Sequence, residues 1–120
     1  TRVYMVGTTG TNSTADVAVA CVTGDGMLDT FFGGGDGHVE FNLNQRDEAR
    51  AVAVDPAGRI FIGATGGLSA DSTDPYLLRL SDTGSLEYST AVLDPSNTQT
   101  TLYDLDLDPA GRVVIVGSSQ

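Results

Sequence analysis

The sequence predicts an all-β fold built from repeated four-stranded units, and three observations predict it. Short runs rich in Val, Ile, Leu, Tyr and Phe alternate with Gly, Asp, Pro, Asn and Ser, the pattern of strands joined by turns. No long stretch repeats apolar residues at helical spacing. One phrase recurs three times, as Arg2-Val-Tyr-Met-Val6, Arg59-Ile-Phe-Ile62 and Arg112-Val-Val-Ile-Val116.

The elements follow in chain order. Strands are expected at Val3–Thr8, Val17–Val22, His38–Leu43, Arg50–Val54, Ile60–Thr65, Tyr76–Leu80, Leu86–Leu93, Leu102–Leu107 and Val113–Ser118. Two of the junctions are the same five residues, Asp55-Pro-Ala-Gly-Arg59 and Asp108-Pro-Ala-Gly-Arg112. Asp suits the first position of a type I turn, Pro presets φ at the second, and Gly takes the position after the turn. Each should close a tight hairpin. Thr23-Gly-Asp-Gly26 and Ser81-Asp-Thr-Gly84 form a second repeated turn, each followed by a hydrophobic step.

The offsets set the period. Arg2 and Arg59 lie 57 residues apart, Arg59 and Arg112 lie 53 apart, and Asp16 and Asp74 lie 58 apart. Periods of roughly 40 to 60 residues with four strands each are those of β-propeller blades. The first repeat covers about 2–58, the second about 59–111, and a third begins at 112–120. The chain opens and closes on the second strand of a blade. Two repeats span too small an arc to close a ring of roughly four to eight blades. The expectation is a segment of a longer polypeptide, with assembly of copies as the alternative.

At 120 residues the chain is long enough for one ordinary domain. Asp and Glu total 16 against six Arg, with no Lys, for a net charge of −10. That charge repels phosphate backbones and anionic lipid, which disfavours nucleic-acid and membrane-surface roles. No apolar run approaches the ~20 residues needed to span a bilayer as a helix. The single cysteine, Cys21, cannot form an internal disulfide. Its apolar run predicts a buried, inert thiol.

Asp16-Val-Ala-Val-Ala-Cys-Val-Thr-Gly-Asp-Gly-Met-Leu-Asp-Thr-Phe-Phe-Gly33 resembles the delta-60 repeat of bacterial β-propeller proteins. Asp47-Glu-Ala-Arg-Ala-Val-Ala-Val-Asp-Pro-Ala-Gly-Arg-Ile-Phe-Ile62 is similar to the hairpin half of the same repeat. The resemblance implies a β-propeller, often part of a large secreted or cell-surface protein, with no catalytic residues and no single activity. The sequence departs from the pattern in three places. Glu87-Tyr-Ser-Thr-Ala replaces a Phe-Gly step, Ala64 stands where the flanking copies have Gly7 and Gly117, and Asp104 and Asp106 replace Ala51 and Ala53.

Asp104 and Asp106 are the candidate site. Alternation along a strand puts Asp104, Asp106 and Asp108 on one face and Leu105 and Leu107 on the other. Adjacent carboxylates repel unless a cation intervenes, so Asp104 and Asp106 are candidate calcium ligands. No other cofactor is implied. Thr23–Asp29 and Gly33–Gly37 combine Gly with Asp but are explained by turn chemistry. Gly33-Gly-Gly35 lacks the Lys and the helix of a phosphate loop. His38 and Glu40 share a strand face without a nucleophile or pocket. Among the aromatics, Tyr4 and Tyr76 should pack between blades, and Tyr88 and Tyr103 are the remaining tyrosine candidates for recognition.

The function expected is therefore non-enzymatic. The chain reads as a structural or recognition repeat of a secreted or cell-envelope protein. Its partners would be other repeats of the same protein, other copies of the chain, or a protein or glycan ligand. A carbohydrate-binding propeller is the second reading. A fragment of a propeller enzyme, with its chemistry in other blades, is the third.

Overall fold

A computed structural model describes residues 2–11, 14–43, 46–69, 72–92 and 100–119. They form antiparallel strands almost throughout: β1 (Arg2–Thr9), β2 (Asp16–Thr23), β3 (His38–Phe41), β4 (Arg46–Val54), β5 (Ile60–Ser69), β6 (Ser72–Leu80), β7 (Leu86–Ala91), β8 (Thr100–Leu107) and β9 (Val113–Ser119). All nine predicted strands are present. Several are longer than predicted, because β4 begins at Arg46, β5 runs on to Ser69 and β6 begins at Ser72. Leu93, the expected end of the seventh strand, lies outside the described residues. No helix among the described residues is long and apolar enough to cross a membrane.

The strands form three sheets. The first has the order β1-β2-β3, the second β4-β5-β6-β7 and the third β8-β9. The second sheet is the complete four-stranded unit, and it lies between the other two. The repeated turns take the predicted geometry. Asp55 N–H donates to Arg59 O at 3.0 Å and Asp108 N–H to Arg112 O at 2.9 Å. Gly58 and Gly111 have φ of 85° and 82°, a region that side chains disfavour. Both hairpins also carry a β-bulge at the same place, at Arg50 in β4 and at Tyr103 in β8.

Alternation then decides which sheet each residue serves. On β5, Ile60, Ile62 and Ala64 face the first sheet and share its core with Val17, Val19, Cys21, Phe32, Leu78 and Leu80. Tyr4 and Tyr76 pack against that same core, between the sheets as expected. The intervening Phe61 faces the third sheet and clusters with Ala51 and Leu105. Ile60 through Gly66 are consequently all buried. A strand covered on both faces reads as a continuous apolar run. Full burial of each of these large aliphatic side chains contributes about 1.5–3 kcal/mol.

Polar contacts stitch the sheets together. Asp47 is wholly buried; its Oδ2 accepts from Leu43 N–H at 2.6 Å, and its own N–H donates to Ala15 O at 2.9 Å. Leu102 N–H donates to Thr65 Oγ1 at 3.3 Å. Gly33 N–H donates to Thr83 O at 2.9 Å, docking a loop of the first sheet onto a turn of the second.

That loop explains the divergent Glu87-Tyr-Ser-Thr-Ala segment. Val22 bridges Leu28 as Leu80 pairs with Leu86, an offset of 58 between copies. Further along, Ala20 pairs with His38 and Leu78 with Ser89, so the partners' offset falls to 51 and the first copy holds seven more residues. The extra residues make a 3-10 turn at Gly33–Gly35 and insert Phe32, fully buried, into the core. Phe32 meets Tyr4 edge-on, with ring centroids 5.9 Å apart. The second copy lacks the insertion and continues directly as β7.

At Gly63 the second and third sheets approach closely. A Cβ there would lie 2.8 Å from Leu102 Cδ2, and Leu102 is itself fully buried. Gly63→Ala is therefore expected to destabilise by about 1–3 kcal/mol. In a Leu102→Ala background the same change should cost much less. A double-mutant cycle of denaturant unfolding measures that coupling; additive costs would show that the two residues do not meet.

Candidate functional site

The outer face of the third sheet holds the candidate residues. Asp106 pairs with Val114 and Asp104 with Val116, so these four side chains share one face of the hairpin. Leu105 pairs with Ile115 and Leu107 with Val113 on the opposite face, against the second sheet. Alternation thus separates Asp104 and Asp106 from the leucines as expected. The bulge adds Tyr103 to the exposed set, and its hydroxyl lies 3.0 Å from Ser118 Oγ. Tyr103, Val114 and Val116 are 59%, 50% and 57% exposed.

Asp104 and Asp106 are each turned back on their own strand. Asp104 Oδ1 accepts from Leu105 N–H and Asp106 Oδ1 from Leu107 N–H, both at 2.8 Å. Their cross-strand neighbours are valines, which supply no oxygen. Calcium takes about six to eight oxygen ligands, and this face brings two carboxylates. Among the described residues no three His, Cys, Asp or Glu side chains gather as a metal site. Asp108, the third aspartate of the run, is committed to its turn. Its Oδ1 accepts from Ala110 N–H and Arg112 N–H, and its Oδ2 accepts from Arg112 Nε at 2.6 Å.

Asp55 has the same set of partners, Ala57 N–H, Arg59 N–H and Arg59 Nε. The two turns lie side by side and border a groove of about 720 Å³ lined by Val54, Pro56, Arg59, Leu107 and Pro109 among others. Hydrogen bonds from Arg112, first from its backbone N–H and then from its side chain, hold the Asp108 carboxyl below the usual range. For Asp55, partial burial pushes the other way, but the bonds from Arg59 outweigh it. Both carboxylates are saturated turn-formers and offer little to a ligand.

The sequence reading missed a second cluster. Asp29 is buried, and its Oδ2 accepts from Arg2 Nε at 2.8 Å. Cys21 Sγ lies 3.9 Å from the same oxygen, and Phe31 N–H donates to Oδ1 at 3.0 Å. The Arg2 guanidinium stands 5.6 Å from the centre of the Tyr4 ring. Arg2 and Asp29 are 27 positions apart, and no local pattern signals their meeting. Cys21 is fully buried, so the thiol is enclosed as expected.

The other candidates stay apart. His38 and Glu40 are exposed on β3; His38 pairs with Ala20, one residue from Cys21 and therefore on the opposite face of the sheet. Arg79 Cζ stands 4.8 Å from the centre of the Tyr88 ring, which commits Tyr88 to an internal contact. Gly33–Gly35 serve the loop that carries Phe32. No protein-family model matches this chain, and no curated protein matches it in sequence.

The Phe31 N–H bond, followed by the Arg2 contact, holds the Asp29 carboxyl below its ordinary value of 3.8. A depressed folded-state value stabilises above the unfolded value and is lost as pH falls through the folded one. Asp29→Asn should therefore destabilise at about pH 7, with the deficit narrowing below about pH 4. Urea midpoints across that range test the sign. Titration calorimetry with Ca²⁺ should give no heat at Asp104 and Asp106; heat that vanishes in Asp104→Ala/Asp106→Ala would restore them as ligands.

Proposed function

We propose that this chain is a non-enzymatic structural and recognition module that works by stacking like sheets face to face, as blades of a β-propeller do. One observation carries the reading. The two inter-sheet contacts are built from equivalent positions, and they leave an equivalent face open at each end. On β1, Val3 and Met5 correspond to Ile60 and Ile62 of β5. The β5 pair is fully buried, whereas Val3 and Met5 are 48% and 51% exposed. On β9, Val114 and Val116 correspond to Phe61 and Gly63, which the third sheet covers. They too are exposed. Surfaces that are covered inside the chain are thus uncovered at its ends, as expected of a unit meant to be flanked.

Strand edges add to this. Among the described residues β1 pairs only with β2 and β9 only with β8, whereas the equivalent β5 pairs on both sides. The partners proposed are other repeats of the same protein. Placement in a secreted or cell-envelope protein of bacterial type rests on the delta-60 resemblance alone.

Stacking units add stability by nearest-neighbour contact. Inserting a second copy of residues 46–99 between positions 99 and 100 should raise the unfolding midpoint and keep a single transition. A self-contained fold would lose cooperativity or fail to fold on the same insertion, and that result would overturn the reading.

A further inference from the structure

We propose that the outer face of β8–β9 receives a β-strand carrying basic side chains at alternate positions, and not a second copy of this chain. The inference rests on the stacking reading and names the chemistry of the partner. It starts from the face that is already covered. On the second sheet, Ala51 and Ala53 of β4 lie beside Gly63 and Phe61 of β5. The leucine-bearing strand β8 packs over them with Leu102 and Leu105, both buried, and with Leu107. Small alanines and apolar leucines suit each other there.

One period on, at an offset of 53, the same positions are Asp104 and Asp106 beside Val116 and Val114. A leucine-bearing strand laid over this face would strip water from two carboxylates and pair neither. Neither aspartate has an ion pair among the described residues; their bonds go to the backbone N–H groups of Leu105 and Leu107. Yet the rest of the face is apolar, with Val114, Val116 and Tyr103 exposed. Arginine or lysine meets both demands. Its aliphatic stem covers the valines, and its charged head reaches the carboxylates.

Among the described residues no strand carries basic side chains at successive alternate positions. The positions with which β4 and β8 face the preceding sheet include Ala49 and Val52, then Leu102, Leu105 and Leu107, and the open face of β1 offers Val3 and Met5. All six arginines already pair with carboxylates, Arg2 with Asp29, Arg46 and Arg50 with Glu48, Arg59 with Asp55, Arg79 with Glu87 and Arg112 with Asp108. A second copy would bring apolar side chains, or arginines that already have carboxylate partners, to a face that asks for free cations.

The test extends the full chain through a Gly/Ser linker with a second copy of residues 100–119. One extension keeps its leucines; the other has Leu105→Arg and Leu107→Arg in the added copy only. Each is made in the native chain and with Asp104→Ala/Asp106→Ala in the original hairpin. The arginine extension should raise the melting midpoint of the native chain by several degrees, weaken with added salt, and gain nothing in the alanine background. The leucine extension should show the reverse preference. Equal stabilisation of the native chain by both extensions would overturn the proposal. So would stabilisation by leucine in the alanine background with none by arginine in the native chain, which would make Asp104 and Asp106 a simple solvent-facing cap. If neither extension acts in either background while the inserted repeat still stabilises, this inference falls alone; if the inserted repeat also fails, the stacking reading falls with it.

Discussion

The structure depends on a single constraint, the coverage of β5 on both of its faces. A strand sends alternate side chains to opposite sides, so a strand at the centre of three sheets must be apolar at every position. Ile60, Phe61, Ile62, Gly63 and Ala64 meet that demand, and all are buried. The side each residue takes then fixes what its neighbour must be. Ile60 and Ile62 require the Val17, Val19 and Phe32 layer, and Gly63 requires Leu102. The strand β5 has no face of its own to give to water over Ile60–Ala64, so it depends on both flanking sheets.

Much of this is legible in the amino-acid sequence. The two Asp-Pro-Ala-Gly-Arg turns specified their hairpins, because Pro, Gly and the Asp carboxylate each act within five residues. The alternation in Leu102–Leu107 identified inner and outer faces for the same local reason. What was not legible depends on distance. The bulges at Arg50 and Tyr103 belong to strand pairing rather than to either residue's own preference. The seven-residue excursion around Phe32 read as a Phe-Gly step, since nothing local says that an aromatic leaves the strand to fill a core shared with the next sheet. Gly66 and Gly67 lie beyond the expected end of the strand at Thr65; pairing with β4 on one side and β6 on the other holds them in the sheet despite weak propensity. The meeting of Asp29 with Arg2 likewise required the fold.

Acidity is distributed with the same logic. The surplus of carboxylates is not spread uniformly over the surface. Asp55 and Asp108 are consumed by turns, and Asp29 is held within the first sheet by Phe31 N–H and Arg2. Asp47 joins the first sheet to the second through Leu43 N–H and Ala15 O. These carboxylates work because each meets fixed donors, and the donors lie in the backbone or on the few arginines. The absence of lysine sharpens the effect. Six arginines serve the existing pairs, and among the described residues Asp104 and Asp106 have no ion-pair partner.

The candidate site and the core are therefore one question asked at successive positions of a repeat. At Ala51 and Ala53 the face is small and apolar, and leucines of the following sheet close over it. At Asp104 and Asp106 the hairpin and its bulge are kept, while Phe61 and Gly63 give way to Val114 and Val116 and the two alanines give way to carboxylates, the change that decides wetting. Two carboxylates at matched positions alter what can cover the face while leaving intact the hairpin that presents it, since they point away from Leu105 and Leu107 and cost the inner contact nothing. Specificity between otherwise interchangeable sheets can arise this way, from the charge a face excludes as much as from the contacts it offers.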